Sequence, residues 1–280
     1  MIRVLSYGGG IQSTALLLMA CEGIIPCDKA VFADTGNEPQ KVYDHIKWSI
    51  KHASQHGIEV TVVSGGNLKE DVLNTIPNPD GGRVAALPYH LLKPSGDKSM
   101  GMRTCTSEYK LKPIEKYLRQ HVLGLKPRQR APKEVKIEVI IGISQDEATR
   151  AKPSMHKFAK NVFPFLSWGM DSPDGKTWRR YQIENWLKEN YPDIEVVRSA
   201  CLVCPFHDNR ELRKIKENPK EWEDVCSFDD AIREDKRGKI VSLQFLHRSC
   251  KPLREVDIRS DEEKGQGNMF DNECEGICGL

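Results

Sequence analysis

No stretch of this 280-residue chain approaches the roughly 20 consecutive apolar residues that a bilayer crossing requires. The first residues carry neither a basic n-region nor an A-x-A cleavage pattern, so no secretory signal is expected. An excess of one charge is also missing: 42 Lys and Arg against 40 Asp and Glu leave a net charge of +2. That balance argues against wholesale coating of nucleic acid, although a local basic face stays open. No internal repeat or low-complexity tract is visible. These absences lead to the expectation of a cytoplasmic globular protein with no membrane partner. The chain does have nine cysteines. In a reducing compartment they suggest metal or redox chemistry rather than disulfides.

The N-terminal part alternates between two periods. Runs at 2–7, 29–33 and 58–63 are apolar and β-branched, as strands are, and 12–22 and about 39–55 read as helices. Pro39 suits an early helical position, and Gly57 a helix stop. A fourth strand is expected at 135–143, whose second half is continuously apolar, as in a strand buried on both faces. Residues 77–104, rich in Pro, Gly and Asp, read as a flexible loop, 106–121 as a helix, and 124–133 as a basic connector. Strand–helix–strand units of this length imply an α/β fold: a doubly wound parallel sheet of about five strands. The expected division is a nucleotide-binding domain over 1–150, with an insertion at about 77–121, and an α-rich, cysteine-bearing region over 151–280 that packs over the strand ends and ends in a flexible tail.

The most telling segment joins the first strand to the first helix: Ser6-Tyr7-Gly8-Gly9-Gly10-Ile11-Gln12-Ser13-Thr14. Glycines let backbone N–H groups approach a ligand, and a helix start offers unpaired N–H groups and partial positive charge. Ser13 and Thr14 add hydroxyls, so the segment reads as a phosphate cradle. The Walker pattern is absent because no Lys follows the glycines, and G-x-G-x-x-G is absent too. Asp34, Thr35 and Gly36 follow the second strand, where open α/β sheets bind ligands; Asp34 also reads as a helix N-cap. Gly142, Glu147 and Arg150 follow the fourth strand, and Arg150 is either a bidentate anion ligand or half of a surface salt bridge.

Gly8–Ser13 resembles the S-G-G-x-D-S signature of the PP-loop, or adenine nucleotide α-hydrolase-like, superfamily, with Gly8 in place of its first Ser and Gln12 in place of its Asp. The run Asp34-Thr35-Gly36-Asn37-Glu38 resembles the D-T-G-x-E/H segment of phosphoadenylyl-sulfate (PAPS) reductases. Residues 142–150 resemble their G-I-R-x-x-E-S-x-x-R, with Ser144 for the Arg and Ala148 for the Ser. Cys105-Thr106 through Pro113 resembles their C-C-x-x-x-K-x-x-P-L, with Lys110 matched and Thr106 in place of the second Cys. The resemblance implies a PP-loop/HUP-type fold. It implies an adenine nucleotide, ATP or a relative, held by Ser6, Gly8, Gly9, Gly10, Gln12, Ser13, Thr14, Asp34, Thr35, Gly36, Gly142 and Glu147. Mg²⁺ is a further expected ion, although Gln12 removes the carboxylate that would assist it.

Cys201-Leu202-Val203-Cys204-Pro205 is a CxxC, a spacing that lets two thiolates share one metal or cluster. By resemblance to cluster-bearing adenylyl-sulfate reductases, Cys105, Cys201 and Cys204 are expected to hold a [4Fe-4S] cluster, with Zn²⁺ as the alternative. Cys274 is the expected fourth ligand and Cys278, in a tail like the reductases' E-C-G-L-H, the expected nucleophile; the two roles could be exchanged, or only three cysteines could bind. Arg150 and Lys110 are the other expected catalytic residues. Cys21, Cys27, Cys226 and Cys250 read as buried small hydrophobes, and His207 as a polar contact after the CxxC. Phe245-Leu246-His247-Arg248 with Pro252-Leu253 resembles a downstream segment of these relatives, which implies His247 or Arg248 near substrate; Trp168, Trp178, Trp186 and Trp222 read either as base-stacking or as core.

The resemblance implies an enzyme that adenylates a substrate oxygen, releasing pyrophosphate, so that sulfur or nitrogen can displace AMP. One alternative is a thiol-dependent reductase of adenylyl sulfate or PAPS that releases sulfite. Another is a non-catalytic nucleotide-binding accessory protein of a modification or defence system. The expected partners are the nucleotide, a nucleobase, nucleic-acid or sulfonucleotide substrate, and a protein donor of sulfur or electrons. Oligomeric state stays open, a homodimer included.

Overall fold

The computed structural model describes residues 1–74, 86–167, 172–196, 198–234 and 241–259. In chain order the elements are β1 (Ile2–Tyr7), α1 (Ile11–Cys21), β2 (Lys29–Asp34), α2 (Gln40–Gln55), β3 (Glu59–Ser64), α3 (Leu68–Asn74), β4 (His90–Leu92) and β5 (Lys98–Met100). A helical stretch follows, with α4 (Lys112–Tyr117) between two π-helical turns, Ser107–Leu111 and Leu118–Val122. Then come β6 (Ile137–Ile140), β7 (Ala159–Val162), α5 (Arg180–Asn190), α6 (Asn209–Lys216), α7 (Pro219–Ala231) and β8 (Leu243–Phe245).

The chain forms two compact units. The first comprises Met1–Asp34, Gln40–Gly65 and Tyr109–Ser199. Its sheet is five-stranded and all parallel, in the order β3-β2-β1-β6-β7. Side chains alternate across it. Leu5, Tyr7, Ala30, Phe32 and Ile140 face a core built with α1, α2 and α5. Val4, Val31, Ile137 and Val139 face Tyr117, Leu118 and Phe158 on the other side. Helices on both faces of a parallel sheet make this a doubly wound α/β fold.

α1 is buried from Ser13 to Ala20 and carries no charged residue. A helix apolar all round belongs in an interior, and each fully buried Leu contributes about 1.5–3 kcal/mol. α2 is instead amphipathic: Val42, Ile46, Ser49 and Ala53 form its buried stripe.

The second unit comprises Thr35–Pro39, Gly66–Glu108 and the chain from Ala200 onward. Its three-stranded antiparallel sheet has the order β5-β4-β8. Asp229 on α7 is fully buried, and its carboxylate organises the segment after β8. It accepts hydrogen bonds from the backbone N–H of Leu246 (2.8 Å) and Leu253 (3.0 Å) and from Arg233 Nη2 (2.5 Å).

Two expectations change. The boundary at 150 falls inside the first unit, because β7 hydrogen-bonds to β6 as the fifth strand. The supposed flexible loop over 77–104 contains the hairpin β4–β5; residues 75–85 lie outside the described residues. α2 starts at Gln40, one residue after Pro39.

Candidate functional site

The sheet order places β6, the next strand of this sheet after β3, on the far side of β1, so the winding direction reverses between β1 and β6. Open α/β sheets bind ligands at such a switch point, beyond the carboxyl ends of the strands. Gly8–Gly10 leaves β1 there, and Gly142–Glu147 leaves β6 beside it. Gly9 has φ +73°, and a Cβ on it would lie 2.7 Å from Ile46 Cδ1, so only glycine fits. A Cβ on Gly142 would lie 3.0 Å from the Gln12 carbonyl carbon, from Gln12 Cβ and from the Ser13 nitrogen. The β6 loop is thus pressed against the first turn of α1. Gly8, by contrast, is exposed.

The α1 start has no side-chain cap and no acidic residue in its first turn. Thr14 N–H makes the first helical bond, to the Gly10 carbonyl (2.9 Å). The N–H groups of residues 11–13 precede that bond, and they are the donors a helix leaves for caps, water or ligands.

The Ser13 and Thr14 hydroxyls bond within the protein. Ser13 Oγ accepts from Gly8 N–H (3.1 Å) and donates to the Gly10 carbonyl (3.1 Å), closing the glycine turn on itself. Thr14 is fully buried, and its Oγ1 pairs with His45 Nε2 at 3.0 Å. Burial holds His45 down at about 4, so the ring is neutral at neutral pH. Tyr7 Oη donates to Ser49 Oγ nearby (2.7 Å). Thr14 therefore belongs to a polar layer beneath the loop, and sequence reasoning missed its partner His45.

Gln12 and Arg150 converge on Glu147. Gln12 Nε2 donates to Glu147 Oε2 (3.2 Å), and Arg150 Nη1 donates to the same oxygen (2.7 Å). Arg150 is thus in the surface salt bridge that was the alternative to anion binding, with about half of its side chain exposed. A carboxylate at position 12 would face Glu147 directly, so the amide suits this loop. Ser144 is fully buried, and its hydroxyl has no hydrogen-bond partner among the described residues. Ser6 is half-buried on β1, and Lys110 is half-buried in the π turn before α4.

Asp34 ends β2 and accepts from Tyr43 Oη on α2 (3.0 Å). It does not cap α2, which begins six residues later. Thr35 belongs to the second unit, as do Gly36 and Glu38. Gly36 has φ +70° and packs against Asn67, whose Cα lies 3.1 Å from a Cβ built there.

Thr35 Oγ1 donates to Glu38 Oε1 (3.1 Å) and lies 3.3 Å from Cys201 Sγ. Cys201 Sγ also donates to Glu38 Oε1 (3.6 Å). Asn37 fixes the CxxC backbone: its carbonyl accepts from Leu202 N–H (2.7 Å) and its Oδ1 from Val203 N–H (3.2 Å). Cys204 N–H then closes a turn onto the Cys201 carbonyl (3.0 Å). His207 Nε2 bonds that same carbonyl (2.9 Å), with Glu211 Oε2 3.3 Å from Nδ1. His207 is thus the expected polar brace. The run Asp34–Glu38 supplies Thr35 and Glu38 to the cysteine turn.

Cys105 opens the helical stretch that precedes α4, where Thr104 accepts from Glu108 N–H (3.0 Å). Among the described residues, Cys105, Cys201 and Cys204 do not form a group with all sulfurs within 4.8 Å of one another. Cys274 and Cys278 lie outside the described residues.

Other expectations resolve into packing. His247 is buried and bonds Ser249 Oγ (2.8 Å) and Asn209 Oδ1 (3.1 Å), so its ring is a local brace. Trp178 and Trp186 pack on the first unit's core, and Lys216 lies 5.5 Å above the Trp222 ring. Trp168 lies outside the described residues. Cys226 and Cys250 are buried as expected, whereas Cys21 and Cys27 are only partly so. An open groove of about 590 Å³ runs along β7, lined by Lys152, Lys157 and Lys160, and does not include the glycine loop. Among the described residues no helix is long and apolar enough to cross a membrane.

The first unit therefore defines a doubly wound α/β protein with a glycine loop at its switch point, and the second carries a braced CxxC turn. Among solved structures, the chain is similar to the PAPS reductase from Candida auris in a phosphate complex, with 14% identity, a TM-score of 0.41, and coverage of 71% of this chain and 75% of that one. It is also similar to the U34-tRNA thiolase NcsA from Methanococcus maripaludis with its [4Fe-4S] cluster, at 14% identity and TM-score 0.41, covering 91% of this chain and 78% of that one. No family model and no curated protein matches the chain.

Proposed function

We propose that the protein is a PP-loop enzyme of the PAPS reductase-like branch. In this reading it binds ATP at the β1–α1 loop and adenylates a substrate oxygen for sulfur or nitrogen transfer. The observation that carries the reading is the convergence at the switch point. An exposed Gly8, a left-handed Gly9 and the uncapped α1 start stand beside a β6 loop pressed in at Gly142. The N–H groups of Ile11, Gln12 and Ser13 would stabilise charge on the α-phosphate as the substrate oxygen attacks and pyrophosphate leaves. Sulfur or nitrogen would then displace AMP. Because the Ser13 and Thr14 hydroxyls are occupied, the backbone is assigned the phosphate contact.

Cys105, Cys201 and Cys204, with Cys274 as fourth ligand, would hold a [4Fe-4S] cluster, and Cys278 would act as the nucleophile. When bound, such a cluster supplies iron for carrying or orienting sulfur. Thr35 and Glu38 would orient Cys201 within this ligand set. Lys110 remains a candidate for substrate contact.

The test is calorimetric titration of the full chain with ATP, followed by a pyrophosphate assay with the anaerobically purified protein and nucleic acid or nucleoside acceptors. Binding that weakens in Gly9→Val, together with acceptor-dependent pyrophosphate, is the expected result. Absence of ATP binding overturns the reading. Sulfite release from a sulfonucleotide with thioredoxin, lost in Cys278→Ser, would replace it with the reductase activity.

A further inference from the structure

A third group of ligand-type side chains lies in the first unit, at the opposite end of α1 from the glycine loop. Cys21 is the last residue of α1. His52 is in the last turn of α2, and His56 follows that helix directly. The four-residue spacing puts both imidazoles on one side of α2. One donor atom from each of Cys21, His52 and His56 lies within 4.8 Å of the other two. On a tetrahedral zinc ion the same atoms would be roughly 3.4–3.6 Å apart, a closure that side-chain rotation can supply.

The surroundings are built for ligation. His52 Nε2 is buried and has no hydrogen-bond partner among the described residues. The His52 ring is held by Trp48 stacked at 5.0 Å and by Tyr191 edge-on at 5.8 Å. His56 Nδ1 lies 2.9 Å from the His52 carbonyl oxygen. An imidazole that gives one nitrogen to a backbone carbonyl presents the other in a fixed direction, as metal-bound histidines do. Glu22 adds a carboxylate beside Cys21, oriented by a hydrogen bond from Tyr191 Oη (2.6 Å).

We propose that Cys21, His52 and His56 form a binding site for a thiophilic divalent cation, Zn²⁺ in the first instance, separate from the Cys105/Cys201/Cys204 set. One thiolate and two imidazoles suit zinc, and the exposed His56 leaves the fourth position to water. Binding forms a sulfur–zinc bond, and the thiol proton leaves to solvent. The ion would tie the end of α1 to the end of α2.

The test uses the full chain, stripped of metal and titrated with Zn²⁺ against a chromophoric chelator. It is run on the wild type and on a variant with Cys105, Cys201 and Cys204 all changed to Ser. Expected are one equivalent of Zn²⁺ retained in that variant, and affinity reduced at least about tenfold on adding either Cys21→Ser or His56→Gln. With Co²⁺ in place of Zn²⁺, a thiolate-to-metal charge-transfer band should appear and vanish in Cys21→Ser. His56 is exposed, so its variant keeps the fold. The proposal is overturned if no equivalent is retained, if both substitutions leave affinity unchanged, or if His56→Gln weakens binding while Cys21→Ser does not.

Discussion

Replacing Gly142 with alanine adds one methyl group at the junction of the β6 loop and α1. That carbon would meet three atoms at 3.0 Å, two of them backbone atoms of Gln12 and Ser13 that cannot rotate away. Carbon–carbon contacts are most favourable at about 3.5–4.0 Å, so loop and helix must separate by about half an ångström. Overpacking of this kind costs about 1–3 kcal/mol. For a protein of this size that lowers the melting temperature by roughly 2–10 °C. The same displacement moves the uncapped N–H groups, and the loss of one charge-assisted bond, about 1.5 kcal/mol, weakens ATP binding about tenfold. Gly8→Ala is the control for stability, because its Cβ would be 3.7 Å from Ser13 Oγ and its φ is not positive. Thermal melting of both variants and ATP titration of Gly142→Ala against the wild type decide the matter. If Gly142→Ala melts like Gly8→Ala and binds ATP like the wild type, the β6 loop does not shape the site and the reasoning fails.

Other residues give separate tests. His45 stays neutral in the folded protein down to about pH 4, while the unfolded chain protonates it near 6.5. Stability is therefore full above pH 6.5 and falls as pH drops toward 4, by at most about 3 kcal/mol; urea midpoints against pH should show this slope, and His45→Gln should flatten it. Gln12→Asp sets a carboxylate against Glu147 and should cost about 1 kcal/mol, recovered by adding Glu147→Gln in a double-mutant cycle. Asp229→Ala strands two buried N–H groups and removes the carboxylate closest to the Arg233 guanidinium. It should destabilise by about 3–5 kcal/mol in chemical denaturation, and a loss under 1 kcal/mol would contradict that account.

The parts of the fold legible in the sequence are those fixed by local pattern. β1, β2 and β3 are apolar runs with the period of a strand, and α1 and the α2 stripe follow helical spacing. The glycine loop was legible because Gly9 must adopt a left-handed backbone. What escaped was set by distant partners. β4 is three residues long and pairs with β8, more than a hundred residues on, so no local period marks it. Nothing in the sequence neighbourhood of Thr35 announces Cys201. Cys21 read as a small core hydrophobe because its companions sit on another helix. Only the folded core shows His45 beneath Thr14.

Residues Thr35–Pro39 are made early in synthesis, between β2 and α2, yet they belong to the unit completed by the chain from Ala200 onward. Asn37 and Glu38 are buried there against the CxxC turn. As the chain leaves the ribosome, this short segment must wait for partners about 165 residues downstream, its buried carboxylate still in water. Contacts of such long sequence separation form late and slowly. A fragment ending before Ala200 would carry an unsatisfied seam beside β2. No single cut yields two independent halves, so the protein should resist dissection by truncation and reach its native state only once its last third has been made.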